Sequence, residues 1–153
     1  ESTRIMVNLM NRTDIGGKQV IDVGCGSAIL ALYARLLGAQ GIVAVDNDLD
    51  AVLNAKNNIT LNDAVNIEIV CSDLGHIRGS YDTVLANLDI NILTRQSREV
   101  ANLAKPGGYV IVSGIVGRDS RLVPPLFPDC RVIDTDKKKS WRGFVFQRIE
   151  SEN

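Results

Sequence analysis

The sequence is poor in the residues that mark several common functions. Its three cysteines, Cys25, Cys71 and Cys130, are odd in number and widely spaced, with no Cys-x-x-Cys among them. That excludes the usual zinc frameworks and a disulfide scaffold, so no metal is expected. Each cysteine lies in or beside an apolar run, and free thiols in a reducing, cytoplasmic setting are the expectation. Seventeen basic residues against eighteen acidic ones leave a net charge of -1. The basic excess of a nucleic-acid-binding domain is missing, which argues against such a partner. No apolar run approaches the roughly 18–20 residues of a membrane span, and no signal-peptide pattern is present, so no membrane partner is expected. Aromatic residues make up only 5% of the chain, too few for an aromatic-rich lid that would stack a base or enclose an aromatic metabolite. No Gly-x-x-x-x-Gly-Lys-Ser/Thr occurs, which excludes a P-loop.

What is present is the segment Asp22-Val23-Gly24-Cys25-Gly26-Ser27-Ala28, following the apolar pair Val20-Ile21. A strand that ends in an acid and two spaced glycines and then opens a helix is the outline of a nucleotide-type cofactor loop. Gly24 and Gly26 let the backbone turn tightly and approach a ligand where a Cβ would intrude. A second apolar run, Gly41 to Val45, ends in Asp46. That is about the spacing, roughly 20 residues, at which a βαβ unit sets a carboxylate beside a ribose. The third glycine of a dinucleotide loop is replaced by Ile29, which weakens a pyrophosphate reading. A cofactor with a ribose and no phosphate remains.

The rest of the chain alternates between helix and strand signals. Ile5, Met6, Leu9 and Met10 recur at helical spacing ahead of Gly16-Gly17. Strands are expected at about 19–23, 41–45, 66–71, 81–86 and 108–113. The second helix carries a broad apolar stripe (Ile29, Leu30, Leu32, Tyr33, Leu36, Leu37) and stops at Gly38. The third, capped by Asp48, is expected to turn Leu49, Val52, Leu53 and Ala55 inward. A polar-faced helix with Ile92, Leu93, Val100 and Leu103 ends at Lys105-Pro106-Gly107-Gly108. Two final strands, 131–134 and 143–147, have no helix between them and call for an antiparallel end to an otherwise parallel sheet. Lys137-Lys138-Lys139 reads as the solvated turn joining them, and His76, the lone histidine, as an exposed loop residue. The fold class is α/β: a Rossmann-like, doubly wound sheet of seven strands with helices on both faces and its ligand at the carboxyl ends. One domain over residues 1–153 is expected. The opening Glu1-Ser2-Thr3-Arg4 runs straight into helix-like sequence without a methionine, so a preceding substrate-recognition region is expected to be absent.

On these residues the chain resembles the class I S-adenosylmethionine-dependent methyltransferases over nearly its whole length. That family wraps the methionine part of its cofactor with an acid-x-Gly-x-Gly-x-Gly loop. It binds the ribose hydroxyls with an acid after the second strand and meets the adenine amino group with an acid after the third. Asp22, Gly24, Gly26, Asp46 and the segment Ser72-Asp73-Leu74 match, and Lys105-Pro106-Gly107-Gly108 is a further mark. Ala28 departs, standing where the third glycine is usual, and is expected to set one methyl group near the cofactor path. A closer resemblance is to the ribosomal protein methyltransferases acting on the eleventh large-subunit protein. It rests on Glu1-Ser2-Thr3-Arg4, Ala86-Asn87-Leu88, Gly114-Ile115 and Trp141.

The resemblance implies S-adenosyl-L-methionine as cofactor, S-adenosyl-L-homocysteine as product, and a protein substrate of the ribosomal kind. It implies that Thr3, Asp22, Gly24, Cys25, Gly26, Asp46, Asn47, Asp73, Leu74 and Asn87 bind the cofactor. Methyl transfer is an in-line displacement in which positioning matters most. Asn87 is the candidate catalytic residue, orienting a neutral amine, while Asp89 is expected to cap the next helix and Cys25 to fill space. Two alternatives stay open: a methyltransferase acting on RNA or a small molecule, and a catalytically silent cofactor-binding interaction module.

Overall fold

The computed structural model describes residues 1–150, so the expected domain limit at 153 lies outside the described residues. Among the described residues four α-helices and seven strands follow one another, with short 3-10 turns between some of them: α1 (Ser2–Asn11), β1 (Gln19–Val23), α2 (Ile29–Leu36), β2 (Gly41–Asp46), α3 (Leu49–Leu61), β3 (Ile67–Cys71), β4 (Tyr81–Asn87), α4 (Ile90–Leu103), β5 (Ala104–Val116), β6 (Cys130–Lys138) and β7 (Trp141–Arg148). The strands form one sheet in the order β3-β2-β1-β4-β5-β7-β6. All neighbours from β3 to β5 are parallel, and β7 runs antiparallel to both β5 and β6. No helix among the described residues is long and apolar enough to cross a membrane.

Because side chains alternate along a strand, each central strand feeds two cores. Val20 and Leu85 pack beneath α1 and α2 with Ile5, Leu9, Leu30 and Ala34. Ile21, Val84 and Ala86 meet Leu93, Val100 and Leu103 of α4 on the opposite face. Asp48 and Asp89 cap α3 and α4, each accepting a hydrogen bond from the backbone N–H two residues on. Gly38 ends the segment after α2 at φ +87°, a conformation that costs glycine little.

Several expectations are corrected. Of the stripe expected on α2, Leu30 is buried and Tyr33 and Leu37 pack against the core beside Ala31 and Ala34, whereas Ile29 and Leu36 are exposed, Leu36 at 81%. In α3, Val52 and Ala55 are buried, whereas Leu49 and Leu53 face outward. A helix that is apolar on more than one side does not reveal in its sequence which side packs. β5 is far longer than 108–113. It first touches β4 at Ala104, leaves the ladder through Lys105–Gly108, and resumes at Tyr109. It then runs past Ser113 to pair Ile115 and Val116 with the start of β7. The last hairpin is also longer than expected, so Lys137 and Lys138 belong to β6 and only Lys139-Ser140 make the turn.

Candidate functional site

A cleft of about 580 Å3 opens at the carboxyl ends of the parallel strands. It sits where the chain order reverses between β1 and β4, the usual ligand position in such sheets. Its walls are the loops after β1 (Val23, Gly24), β2 (Val45, Asp46, Asn47) and β3 (Ser72, Leu74), the residue after β4 (Leu88), and the α4 residues Ile92, Arg95 and Gln96.

Backbone hydrogen bonds stitch the three loops together. Cys25 N–H donates to Val45 O at 2.9 Å, and Ser72 N–H donates to Asp46 O at 3.0 Å. The Asp46 carboxylate accepts Gly26 N–H on Oδ2 at 2.9 Å and Asp48 N–H on Oδ1 at 3.0 Å. A carboxylate offers about four lone-pair directions, so Asp46 keeps acceptor capacity beyond these two. Asn47 Nδ2 reaches Asp73 Oδ1 at 3.3 Å, tying the β2 loop to the β3 loop. Gly24 and Gly26 adopt φ +64° and +53°. A Cβ at Gly26 would meet nothing within 4 Å, leaving open space above that peptide.

Of the residues expected from sequence, Gly24, Asp46, Asn47 and Leu74 line the cleft directly. Cys25, Asp73 and Asn87 each adjoin a lining residue, and Gly26 is held to one through Asp46. Thr3 lies in the first turn of α1, outside the lining set. Asp22 is only 1% exposed and turns its carboxylate to Ala31 N–H at 3.2 Å, so it braces the start of α2 from behind the loop. Burial pushes its pKa up to about 7, the nearby Asp46 charge adds to the rise, and the Ala31 hydrogen bond opposes it. Burial also pushes the Cys25 thiol up to about 12, with the charges of Asp22 and Asp46 adding. Such a thiol stays protonated, and Cys25 packs within the core that includes α1 and α2.

The expectation for Ala28 is corrected. Its residue is 0% exposed within the α1–α2 core, so the methyl group points into the protein and not along the cleft. The cost of the substitution is local: Ala28 holds φ +62°, ψ +23°, a left-handed conformation in which alanine is strained and glycine is not.

Asn87, at the end of β4, lies opposite Ser113 in the β4–β5 ladder. Its side-chain Oδ1 is buried without a hydrogen-bond partner among the described residues. An unmet buried acceptor costs about 1–3 kcal/mol, so this oxygen is an acceptor waiting for a donor. Asp89 is committed as a helix cap, accepting Asn91 and Ile92 N–H on Oδ1 at 2.8 and 3.1 Å.

The family model described as Ribosomal protein L11 methyltransferase (PrmA) matches residues 1–148. The chain belongs to that family. Among family relatives it is 35% identical over 147 residues to the ribosomal protein L11 methyltransferase of Thermosipho melanesiensis, covering 95% of this chain and 55% of that protein. It is 42% identical over 136 residues to the one from Geotalea uraniireducens, covering 87% of this chain and 43% of that protein. The chain thus spans about half the length of the curated relatives it matches. The crystal structure of the ribosomal protein L11 methylase from Lactobacillus delbrueckii subsp. bulgaricus superposes with a TM-score of 0.92 at 25% identity, over 97% of this chain and 79% of that one.

The residues present fit the cofactor expected of this family. The cleft falls within the roughly 300–1,000 Å3 of small-molecule sites. Its wall carries an acid with spare acceptor capacity, Asp46, which holds the open Gly26 peptide beside it. Sequence reasoning missed the α4 wall. Ile92, Arg95 and Gln96 stand at i, i+3 and i+4, one face of the helix. A helix capped at the carboxyl end of β4 had to present its first turns to the cleft, and that was the available signal.

Proposed function

We propose that this chain is the catalytic domain of a cytoplasmic S-adenosylmethionine-dependent methyltransferase acting on protein amines, with ribosomal protein L11 as acceptor. Family membership supports the reaction class, and the relatives' names support the acceptor. The observation that carries the amine reading is Asn87, which adjoins the lining residue Leu88 and whose buried Oδ1, without a partner among the described residues, suits an N–H donor.

In this reading Gly24 and Gly26 receive the methionine part of the cofactor and Asp46 takes the ribose hydroxyls. Asn47, Asp73 and Leu74 frame the adenine from one side, and the Ile92–Arg95–Gln96 face of α4 frames it from the other. Arg95 is the only cation among the described lining residues, and a guanidinium stacks well on a base. Bound S-adenosyl-L-methionine would supply an electrophilic sulfonium methyl group, leaving S-adenosyl-L-homocysteine. The protein's part is to hold a neutral amine in line, with Asn87 Oδ1 accepting one of its hydrogens. Desolvation in the cleft lowers the amine's pKa and favours the neutral form. In this reading Asp89 serves as the cap of α4 and Asp22 as a brace behind the loop, so positioning carries the step.

The test is incubation of the chain with ribosomal protein L11 and S-adenosyl-L-methionine, read by peptide mass. The expected result is whole-methyl mass shifts on amine-bearing residues, lost in Asn87→Leu. A cofactor analogue with an amine in place of the methyl group reads the same contact by binding alone. Asn87→Leu should weaken that analogue more than it weakens S-adenosyl-L-homocysteine. Equal effects on both ligands would remove Asn87 from the amine contact.

A further inference from the structure

The ends of three neighbouring strands form a packed row beside the cleft. β1, β4 and β5 lie side by side in that order, and Leu88, just past β4, stands between Gly24 beyond β1 and Gly114 in β5. A Cβ at Gly24 would lie 2.8 Å from Leu88 Cδ2. A Cβ at Gly114 would lie 2.5 Å from Leu88 O and 2.9 Å from its carbonyl carbon. Both glycines hold positive φ, +64° and +89°. Leu88 N–H also donates to Ser113 O at 3.1 Å. The register of β5 against β7 shifts between Val112 and Ile115, so Ser113-Gly114 form a bulge. Ser113 Oγ fixes that bulge by donating to Arg142 O at 3.1 Å.

We propose that Gly114 is a positioning residue: through Leu88, the β5 bulge sets the separation between the cofactor loop at Gly24 and the acceptor contact at Asn87. The inference rests on the methyltransferase reading above. Gly114 does not line the cleft, and the three atoms nearest a Cβ placed there all belong to Leu88, so its shortest route to the loop runs through that residue. Bulges re-aim neighbouring residues, and close-packed contacts transmit displacement in place of absorbing it. Added bulk at Gly114 has β4 and then β1 in its way, because the sheet order places them there. In-line transfer is sensitive to shifts of about 1 Å, which gives the row a functional consequence.

The experiment compares 15N-labelled wild type, Gly114→Ala, Leu88→Ala and the double variant, using amide spectra and titration with S-adenosyl-L-homocysteine. Gly114→Ala should move the Gly24 and Gly26 amide resonances and weaken ligand binding by roughly fivefold to a hundredfold. In the Leu88→Ala background the added methyl still meets the Leu88 backbone, but the Cδ2 contact toward Gly24 is gone, so the same change should leave the Gly24 and Gly26 resonances and ligand binding unaltered. A merely structural glycine would lower the unfolding midpoint in both backgrounds and leave the loop resonances in place. Unmoved loop resonances, or additive effects on binding, would overturn the proposal. Should Gly114→Ala fail to fold, Leu88→Ala is compared with Leu88→Met. The alanine should shift the Gly24 and Gly114 amides together and the methionine should restore them, and independent behaviour would again overturn it. A wild type that does not bind S-adenosyl-L-homocysteine refutes the methyltransferase reading, whereas the spectral arms judge the Leu88 link without ligand.

Discussion

Replacing Asp22 by asparagine should change the pH dependence of stability in a defined direction. Burial raises the Asp22 carboxyl from an ordinary value of 3.8 to about 7 in the fold. Between those values the folded chain holds a proton that the unfolded chain has released. Stability therefore falls as pH rises through this window, by up to about 1.4 kcal/mol per pH unit, and levels off above it. The whole window corresponds to at most about 4 kcal/mol. The asparagine of Asp22→Asn cannot titrate, yet its side-chain oxygen can still accept Ala31 N–H. Its two amide hydrogens lack a partner, which shifts the variant's stability by a constant amount. The quantity to follow is therefore the difference between variant and wild type in urea unfolding, measured in steps from pH 5 to pH 8. That difference should grow in the variant's favour by a few kcal/mol as pH rises. A difference independent of pH would mean that Asp22 is ionised with an ordinary pKa, and the account of a buried brace behind the loop would fail.

Thr83 Oγ1 is buried in β4 without a partner among the described residues, so the near-isosteric Thr83→Val should stabilise the fold by about 1–2 kcal/mol in urea unfolding. Ala28→Gly relieves about 1–2 kcal/mol of left-handed strain. It also loses a buried methyl worth about 0.8 kcal/mol and about 0.4–1 kcal/mol through the freer unfolded chain. Its midpoint should stay close to wild type and its S-adenosyl-L-homocysteine affinity should be unchanged, whereas tighter binding would put the Ala28 methyl back in the cofactor path. Arg95→Ala should weaken S-adenosyl-L-homocysteine and adenosine alike by roughly threefold to thirtyfold. Unchanged affinity for both would remove Arg95 from the adenine wall.

The parts of the fold legible in the sequence were those written in local chemistry. The glycines at 24 and 26, the acid at 46 and the caps Asp48 and Asp89 each satisfy a nearby backbone demand, so their positions followed from residue type. The packed faces of α2 and α3 were not legible. Ile29, Leu36, Leu49 and Leu53 are as apolar as the residues that do pack, and only the sheet decides between them. The extent of β5 was hidden because Pro106-Gly107-Gly108 and the Ser113-Gly114 bulge look like ends although the strand resumes after each. In β6, lysines at an edge strand imitate a turn, since charge on an unpaired edge is a common guard against further pairing. Within the site, the loop residues could be named from sequence. Arg95 and Gln96 could not, because their polar character reads as solvent exposure until α4 is placed against the cleft. For Asp22 the residue type suggests a ligand contact, whereas its depth and its bond to Ala31 N–H were not legible until β1 and α2 were packed together.

The most direct test of the central claim is calorimetric titration of the chain and of Asp46→Ala with S-adenosyl-L-methionine and S-adenosyl-L-homocysteine, with NAD as control. The account predicts micromolar binding of the first two and not of NAD, with a large loss in Asp46→Ala. No binding by the wild type, or binding untouched by the loss of Asp46, would contradict it.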